Sequence, residues 1–351
     1  MKIEDVVFFG AGASASEGAP LQGALFKDYF TKEQGAAFLT NDPHMDQRLQ
    51  EFFNIFWGID VKDGDLRDIE FPTFEEALGI LELAISREES FREYGLLLDR
   101  PLIRRIREDL IFLMALIIDR KLSAEGEHHR TLVKRLEKEN KISKAGFVSL
   151  NYDILIDNAL MDIYPVCHLD YGVEFTNFKR PGDWSIPEPQ KAVYLYKLHG
   201  SLNWLYCPTC ISLTLTPKEK RVATLIFKPK QCDFCGSKVI PIIIPPTFFK
   251  VMSNYYLQQI WHKAGILLSE VKRIFFCGYS FPDADIHVKY LIKRMEVNSR
   301  NTPEIFIINN HKEKSREARD SEQKRYVRFF NKSDRVNYTD LSFEDFCARG
   351  I

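Results

Sequence analysis

The chain has little that would mark it for a membrane or for export. Its longest apolar stretch, Leu110 to Ile118, falls well short of the ~20 residues that cross a bilayer, and it follows the charged group Arg104, Arg105, Arg107, Glu108 and Asp109. The apolar run near the N-terminus, Val6 to Phe9, is shorter than a secretory h-region, and Gly10 ends it. An excess of either charge is also missing. There are 48 Lys and Arg against 49 Asp and Glu, a formal net charge of -1. That balance offers no global field to nucleic acid or to an anionic membrane, so neither is expected as a partner. The sequence has no internal repeat and no low-complexity tract. Its seven cysteines are odd in number and unevenly placed, poor material for a disulfide framework. Together these absences point to a cytoplasmic protein.

What is present is ordinary globular material. Hydrophobic residues make up 45% of the chain and charged residues 28%, and 27 Phe supply a core too rich for a disordered chain. At ~100 to 200 residues per domain, 351 residues favour about two units.

Short continuous apolar runs suit strands buried on both faces of a parallel sheet. They are Val6 to Phe9, Gly146 to Leu150, Val193 to Leu198, Val239 to Ile244, Val271 to Cys277 and Pro303 to Ile308. Helical patterns lie between some of them, clearest at Asn254 to Glu270 and Ala284 to Glu296. The alternation predicts an α/β fold: a doubly wound, Rossmann-like parallel sheet. From Leu21 to Lys144 there is no convincing strand. Thr73 and Glu76 make a capping box, Pro101 opens a helix running to about Lys121, and Arg130 to Lys141 reads as a third helix. The expected organisation is therefore a sheet domain from 1–20 and 145–345, a large helical insertion at 21–144, and a small cysteine-bearing lobe at 205–238. Pro181 to Pro189 reads as a loop and His311 to Arg335 as a charged helical surface.

Candidate chemistry sits where strands end. The first run leads into Gly10-Ala11-Gly12-Ala-Ser14, followed by Gly18-Ala-Pro20. Glycines at this spacing allow a sharp turn and close approach to a pyrophosphate, although a tight strand-to-helix turn without ligand uses the same residues. Ser149-Leu-Asn151-Tyr-Asp153 ends the second run and faces the crevice where open α/β sheets bind ligands; Asp153 reads equally as a helix N-cap. Lys197-Leu-His199-Gly200 ends the third, with a His able to exchange a proton near neutral pH. Gly278-Tyr-Ser280 and Asn309 follow two later strands, in positions suited to phosphate and ribose or to plain turns. Cys207-x-x-Cys210 and Cys232-x-x-Cys235, with 21 residues between them, form two knuckles that close a four-sulfur zinc site. All four positions are then taken by protein, so the metal should organise the lobe and not catalyse.

Taken in order, these positions resemble the sirtuin family. Gly10, Ala11, Gly12, Ser14 and Pro20 look like its glycine-rich NAD loop. Asn151 and Asp153 match its Asn-x-Asp motif, His199 and Gly200 its catalytic His-Gly, Gly278 and Ser280 its Gly-x-Ser, and Asn309 its ribose-binding Asn. A two-knuckle zinc module after the His also matches. The resemblance implies an NAD-binding sheet domain, NAD as substrate, structural Zn(II), and Asn151, Asp153 and His199 as catalytic residues. Two departures weigh against acyl-lysine transfer. Pro20 is followed by Leu21, Gln22 and Gly23 instead of the Asp-Phe-Arg of deacetylating sirtuins, and Leu150 replaces the usual Gln before the Asn. The helical insertion and the stretch Gly278-Tyr-Ser-Phe-Pro-Asp283-Ala-Asp285 look more like the sirtuin-like NAD-hydrolysing effectors of bacterial anti-phage defence. That likeness implies a homo-oligomer and a defence-system partner such as a motor ATPase. The expectation is an NAD+ glycohydrolase; an NAD-dependent protein deacylase and a non-catalytic NAD or ADP-ribose sensor are the alternatives.

Overall fold

The apolar runs become strands because each can be buried on both faces, and they pair side by side in one parallel sheet. The structure, a computed structural model, describes residues 2–21, 23–30, 43–61, 66, 68–93, 96–121, 127–164, 168–176, 192–216, 231–243, 254–283, 285–299, 302–309, 314–331 and 333–351. The predicted loop at 181–189 lies outside them. By internal contacts the chain divides into two compact units, one formed by 1–19, 122–244 and 251–351, the other by 20–121 and 245–250.

The first unit holds a seven-stranded sheet. Its spatial order is Val336–Tyr338, Glu304–Ile308, Arg273–Cys277, Asp5–Phe9, Ala145–Ser149, Val193–Lys197, Leu169–Asp170, and every pair is parallel. From Asp5–Phe9 the chain builds outward through Ala145–Ser149, then returns to the other side at Arg273–Cys277. The strand order therefore reverses beside Asp5–Phe9, the switch point where open α/β sheets bind ligands. Register fixes what emerges there. Phe9 lies between Ser149 and Cys277, Ser149 pairs with Lys197, and Cys277 pairs with Ile308. The next residues of these strands, Gly10, Leu150, Leu198, Gly278 and Asn309, all leave the sheet along one edge.

Helices cover the sheet with apolar stripes. Tyr255–Glu270 starts where Asn254 Oδ1 accepts from the N–H groups of Tyr256 and Leu257, at 3.0 and 3.3 Å, and it buries Leu257, Ile260, Ala264, Leu267 and Leu268. Glu127–Lys138 contributes His129, Leu132, Val133 and Leu136 to the core, so this helix, grouped with the insertion by sequence, packs within the sheet unit. Its first turn is tied to Glu17, whose Oε1 accepts from the His129 backbone at 2.9 Å and from its ring Nδ1 at 2.5 Å. Burial pushes the Glu17 carboxyl up, but the bonds and charge of His129 outweigh it and hold the group below its usual range.

One apolar run was assigned to the wrong sheet. Val239 to Ile244 is expected as a parallel strand, yet Ile240–Ile243 pairs antiparallel with Gly200–Cys207, which also pairs with Ser212–Leu215. Apolar content alone does not say which neighbour a strand chooses.

The second unit contains the helices Leu25–Phe30, Pro43–Trp57, Phe74–Arg87 and Arg100–Lys121. Thr73 Oγ1 accepts from Glu76 N at 3.1 Å, as the capping box predicts. The core is aromatic: the rings of Phe26 and Phe53 lie 4.6 Å apart, with Phe71 and Phe74 against Phe26. A short hairpin, Phe91–Glu93 with Leu96–Leu98, is an addition to the all-helical expectation. Among the described residues, no helix is long and apolar enough to cross a membrane.

At the switch point two loops meet backbone to backbone. Gly12 N donates to Gly278 O at 2.8 Å, and Gly10 N to Cys277 O at 2.9 Å. Gly278 has φ +64°, and a Cβ there would lie 2.0 Å from Ala13 N. Side chains rarely adopt that conformation, and the space is already filled. Gly278→Ala is therefore expected to lower unfolding free energy by about 3 kcal/mol, measured by urea denaturation.

Candidate active site and metal centre

The first strand ends in a helix of only five residues, Ala11–Ala15, with Gly10 as its N-cap. Its glycines are dictated by the neighbouring loop: a Cβ on Gly10 would sit 2.7 Å from Gly278 O, and one on Gly12 would sit 2.9 Å from the same atom. Several amide groups of the turn are already committed, Gly12 N to Gly278 and Ala13 N to Gly10 O at 3.1 Å. The Ser14 hydroxyl is committed too. It is 2% exposed and donates to Asp153 Oδ2 at 2.6 Å.

Asn151 completes this network. Its Nδ2 donates to Gly10 O at 2.9 Å and to Ser14 Oγ at 2.7 Å, so both amide protons are used and Oδ1 is left as the acceptor end. Asp153 takes Ser14 on one oxygen and Leu155 N, at 3.1 Å, on the other. Ile154 is the formal cap of the helix Leu155–Met161 and makes no side-chain cap bond, so Asp153 supports the helix start from one residue further out. The result is a relay from Gly10 through Asn151 and Ser14 to Asp153, joining two adjacent strand ends.

His199 lies at the next strand end, 4% exposed. Its Nδ1 is 3.1 Å from Leu150 O. A carbonyl only accepts, so Nδ1 carries the proton and in the neutral ring the lone pair falls on Nε2. The rings of Tyr152 and Trp261 stand 6.2 and 6.4 Å from the imidazole, and Trp261 Nε1 donates to Leu198 O at 2.7 Å.

On the other side of the switch point, Asn309 Nδ2 donates to Tyr279 O at 3.1 Å and to Glu322 Oε1, which also ties the Gly278–Ser280 loop to Asn309. Asn309 Oδ1 is buried with no hydrogen-bond partner among the described residues. Ser280 is exposed, and its carbonyl accepts from Arg325 Nη2 at 3.1 Å. Ala11 is exposed on the turn. Pro20 falls in the second compact unit.

Two functional-looking groups escape a reading of strand ends. Lys197 and Asp157 have no exposed side-chain surface and pair at 3.0 Å. Removing one partner of such a pair leaves a buried uncompensated charge and costs ~3–5 kcal/mol. Their signal was a Lys closing an apolar strand and an Asp inside an apolar helix. Glu322, 1% exposed, is another buried charge and is paired with Lys314.

The chemistry-bearing residues of the smaller sheet form a separate cluster. Cys207 ends the strand Gly200–Cys207, and the turn after it closes with Ile211 N on Cys207 O at 2.9 Å. The second knuckle closes with Gly236 N on Cys232 O at 2.9 Å. All four sulfurs of Cys207, Cys210, Cys232 and Cys235 lie within 4.8 Å of one another. The pairs Cys207–Cys235 and Cys210–Cys232 are at 3.5 Å. Tetrahedral zinc with bonds of ~2.3 Å needs sulfurs about 3.8 Å apart, so the set fits that ion. The thiol acidities agree. The Ser212 hydroxyl, then the N–H groups of Phe234 and Cys235, pull Cys232 down to about 6. At Cys210 the same hydroxyl lowers the value, but desolvation and the neighbouring thiols push it up to about 11. A cation among the sulfurs resolves that conflict by favouring every thiolate at once.

The SIR2-like domain model matches residues 145–330, more than half of the chain. The chain belongs to the SIR2-like domain family. Membership points to NAD-dependent chemistry. Among solved structures, Sir2Tm bound to a propionylated peptide is 14% identical to this SIR2-like chain over 99% of it and 91% of that chain, at a TM-score of 0.41. A Sir2 enzyme solved for the mechanism and regulation of that group is 15% identical over the same shares, at 0.45. Sir2 with a p53 peptide and NAD+ is 15% identical, again over 99% and 91%, at 0.42. No curated protein sequence matches.

The cluster generates a metal prediction. The purified SIR2-like protein should carry about one zinc per chain by elemental analysis, and Cys207→Ser should lose the metal and melt at a lower temperature.

Proposed function

We propose that this protein is an NAD+ glycohydrolase that cleaves the nicotinamide–ribose bond to give nicotinamide and ADP-ribose. The observation that carries the reading is that Asn151 and His199 follow two paired strands, with the Asn151 amide held by Gly10 and Ser14 and His199 Nδ1 held against the Leu150 carbonyl. Nicotinamide in NAD is cationic and leaves as a neutral molecule, taking the electrons of the C–N bond, so no general acid is required. The site must instead stabilise an oxocarbenium-like sugar and place a water. Asn151 presents its carbonyl oxygen to a ribose hydroxyl or to that water. His199, with its lone pair on Nε2, takes the water's proton as the new C–O bond forms. Asp153 spends both oxygens on Ser14 and Leu155, so its part is to hold the Asn151 network in place.

The pyrophosphate would lie along Gly10, Ala11 and Gly12 with Gly278 and Ser280 opposite. The buried Oδ1 of Asn309 would accept from a ribose hydroxyl. Cys207, Cys210, Cys232 and Cys235 would hold zinc, which would supply a cross-link and no reactive position. Leu21, Gln22 and Gly23 after Pro20, and Leu150 before Asn151, favour water over an acylated lysine as acceptor. A freely active NADase would drain its own cell. We therefore assign the protein to an anti-phage effector role in which oligomerisation or a partner, such as a motor ATPase, switches activity on.

Incubation with NAD, with and without an acetylated peptide, followed by chromatography of the products, tests the reading. Nicotinamide and ADP-ribose, linear or cyclic, should form without peptide. Products only with peptide would make the protein a deacylase, and binding without turnover would make it a sensor. His199→Ala should slow nicotinamide release about 10²- to 10⁴-fold, and Asn151→Ala about 10²-fold or more, with melting temperatures unchanged. A wild-type rate from either variant would remove its residue from the mechanism.

A further inference from the structure

A lysine without exposed surface, two residues before His199, calls for a reason that stability does not supply. A buried ion pair is a poor stabiliser, because desolvation offsets the attraction and an apolar pair of similar volume does as well or better. Lys197 nevertheless closes the otherwise apolar strand Val193–Lys197, and its Nζ donates to the backbone carbonyl of Asp153 and to Asp157 Oδ2 at 3.0 Å. Asp157 in turn accepts the Tyr171 hydroxyl at 3.0 Å and Asn203 Nδ2 at 3.4 Å on its other oxygen. The four side chains come from four different segments. Asp153, which receives the lysine, is two residues past Asn151. Lys197 is two residues before His199, and Asn203 is four after it. The adjoining peptide is clamped as well, since Tyr152 O accepts from Leu202 N at 2.9 Å.

An apolar contact would hold these segments together, but it lacks direction. Charged donors and acceptors on fixed lone pairs set the angle between two backbones as well as their separation.

We infer that Lys197 and Asp157 are positioning residues: they set the relative placement of Asn151 and His199 without touching the substrate. The inference rests on the reading that these two side chains act on NAD. Its test uses the full-length protein with Lys197→Met, Asp157→Leu and the two combined. Each single variant strands one buried charge and should melt well below the wild type. The double variant carries no charge there and should regain the wild-type melting temperature. Its kcat for nicotinamide release, measured well below melting, should still be about 10- to 100-fold down, the scale of a misplacement near 1 Å. Its KM for NAD should stay within about threefold, because uniform binding is untouched. A purely structural pair would give back both melting temperature and kcat in the double variant, and that result overturns the inference.

If the double variant does not fold, Asp157→Asn keeps the shape without the charge and decides the matter: reduced kcat at constant KM supports the inference, and wild-type kcat overturns it. Hydrogen exchange separates this outcome from a failure of the NADase reading. Should the wild type release no nicotinamide, the Leu202 amide should still exchange about tenfold faster in the charge-free variant, the amides of Asp5–Phe9 being unchanged. Equal exchange at Leu202 overturns the positioning role, whatever the substrate.

Discussion

The site depends on one contact in which two backbones touch with no room for a side chain between them. Gly10 and Gly12 press against Gly278 across the switch point, and a Cβ on any of the three would meet main-chain atoms at 2.0 to 2.9 Å. This contact joins the half of the sheet that runs through Ala145–Ser149 and Val193–Lys197 to the half that runs through Glu304–Ile308. It also points Gly10 O at Asn151 and lets the Tyr279 carbonyl, one residue past Gly278, receive Asn309. Hydrogen bonds on both sides of the crevice therefore start from the same point of closest approach. In a sheet whose strands are almost uniformly apolar, much of the directional information comes from these ends, the Arg273–Asp5 pair supplying it at the opposite edge.

Burial of charge follows the same edge. Glu17 with His129, Asp153 with Ser14, and Asp157 with Lys197 are internal and partnered, and buried Glu322 is partnered by half-buried Lys314. The Asp157–Lys197 pair bridges a helix to a strand end, and Asp153–Ser14 joins the segments that follow two adjacent strands. In the low-dielectric interior such bonds are strong when made and costly when broken, which makes the arrangement rigid before any ligand arrives. A site whose side chains do not reorganise at the moment of reaction stabilises developing charge more effectively than one that must.

How much of this was legible in the sequence depended on the length scale of the signal. The strands at the centre of the sheet stood out as apolar runs ended by Gly10, Asn151, His199 and Gly278, because burial on both faces leaves no polar alternation to interpret. The peripheral strands did not. Leu169–Asp170 and Val336–Tyr338 are two and three residues long, and their existence is decided by the neighbour they pair with. Ile240–Ile243 was visible as a strand but not as antiparallel, for the same reason. The four cysteines were fully legible as a cluster, since CxxC spacing is itself a geometric constraint and the sulfurs converge as expected. Lys197 was hidden in plain view: averaged over an apolar run its charge disappears, and only the partner 40 residues away explains it. Ser14 was visible on its glycine-rich turn, but its bond to Asp153, 139 residues away, was not.

The strand Gly200–Cys207 has a property that its two ends give it jointly. It begins beside His199 and finishes on Cys207 of the sulfur cluster, so one strand connects the sulfur cage to the imidazole. The cage is the far anchor of a tie rod. Cys210 and Cys235, the exposed members of the cluster, are the ones within reach of an oxidant.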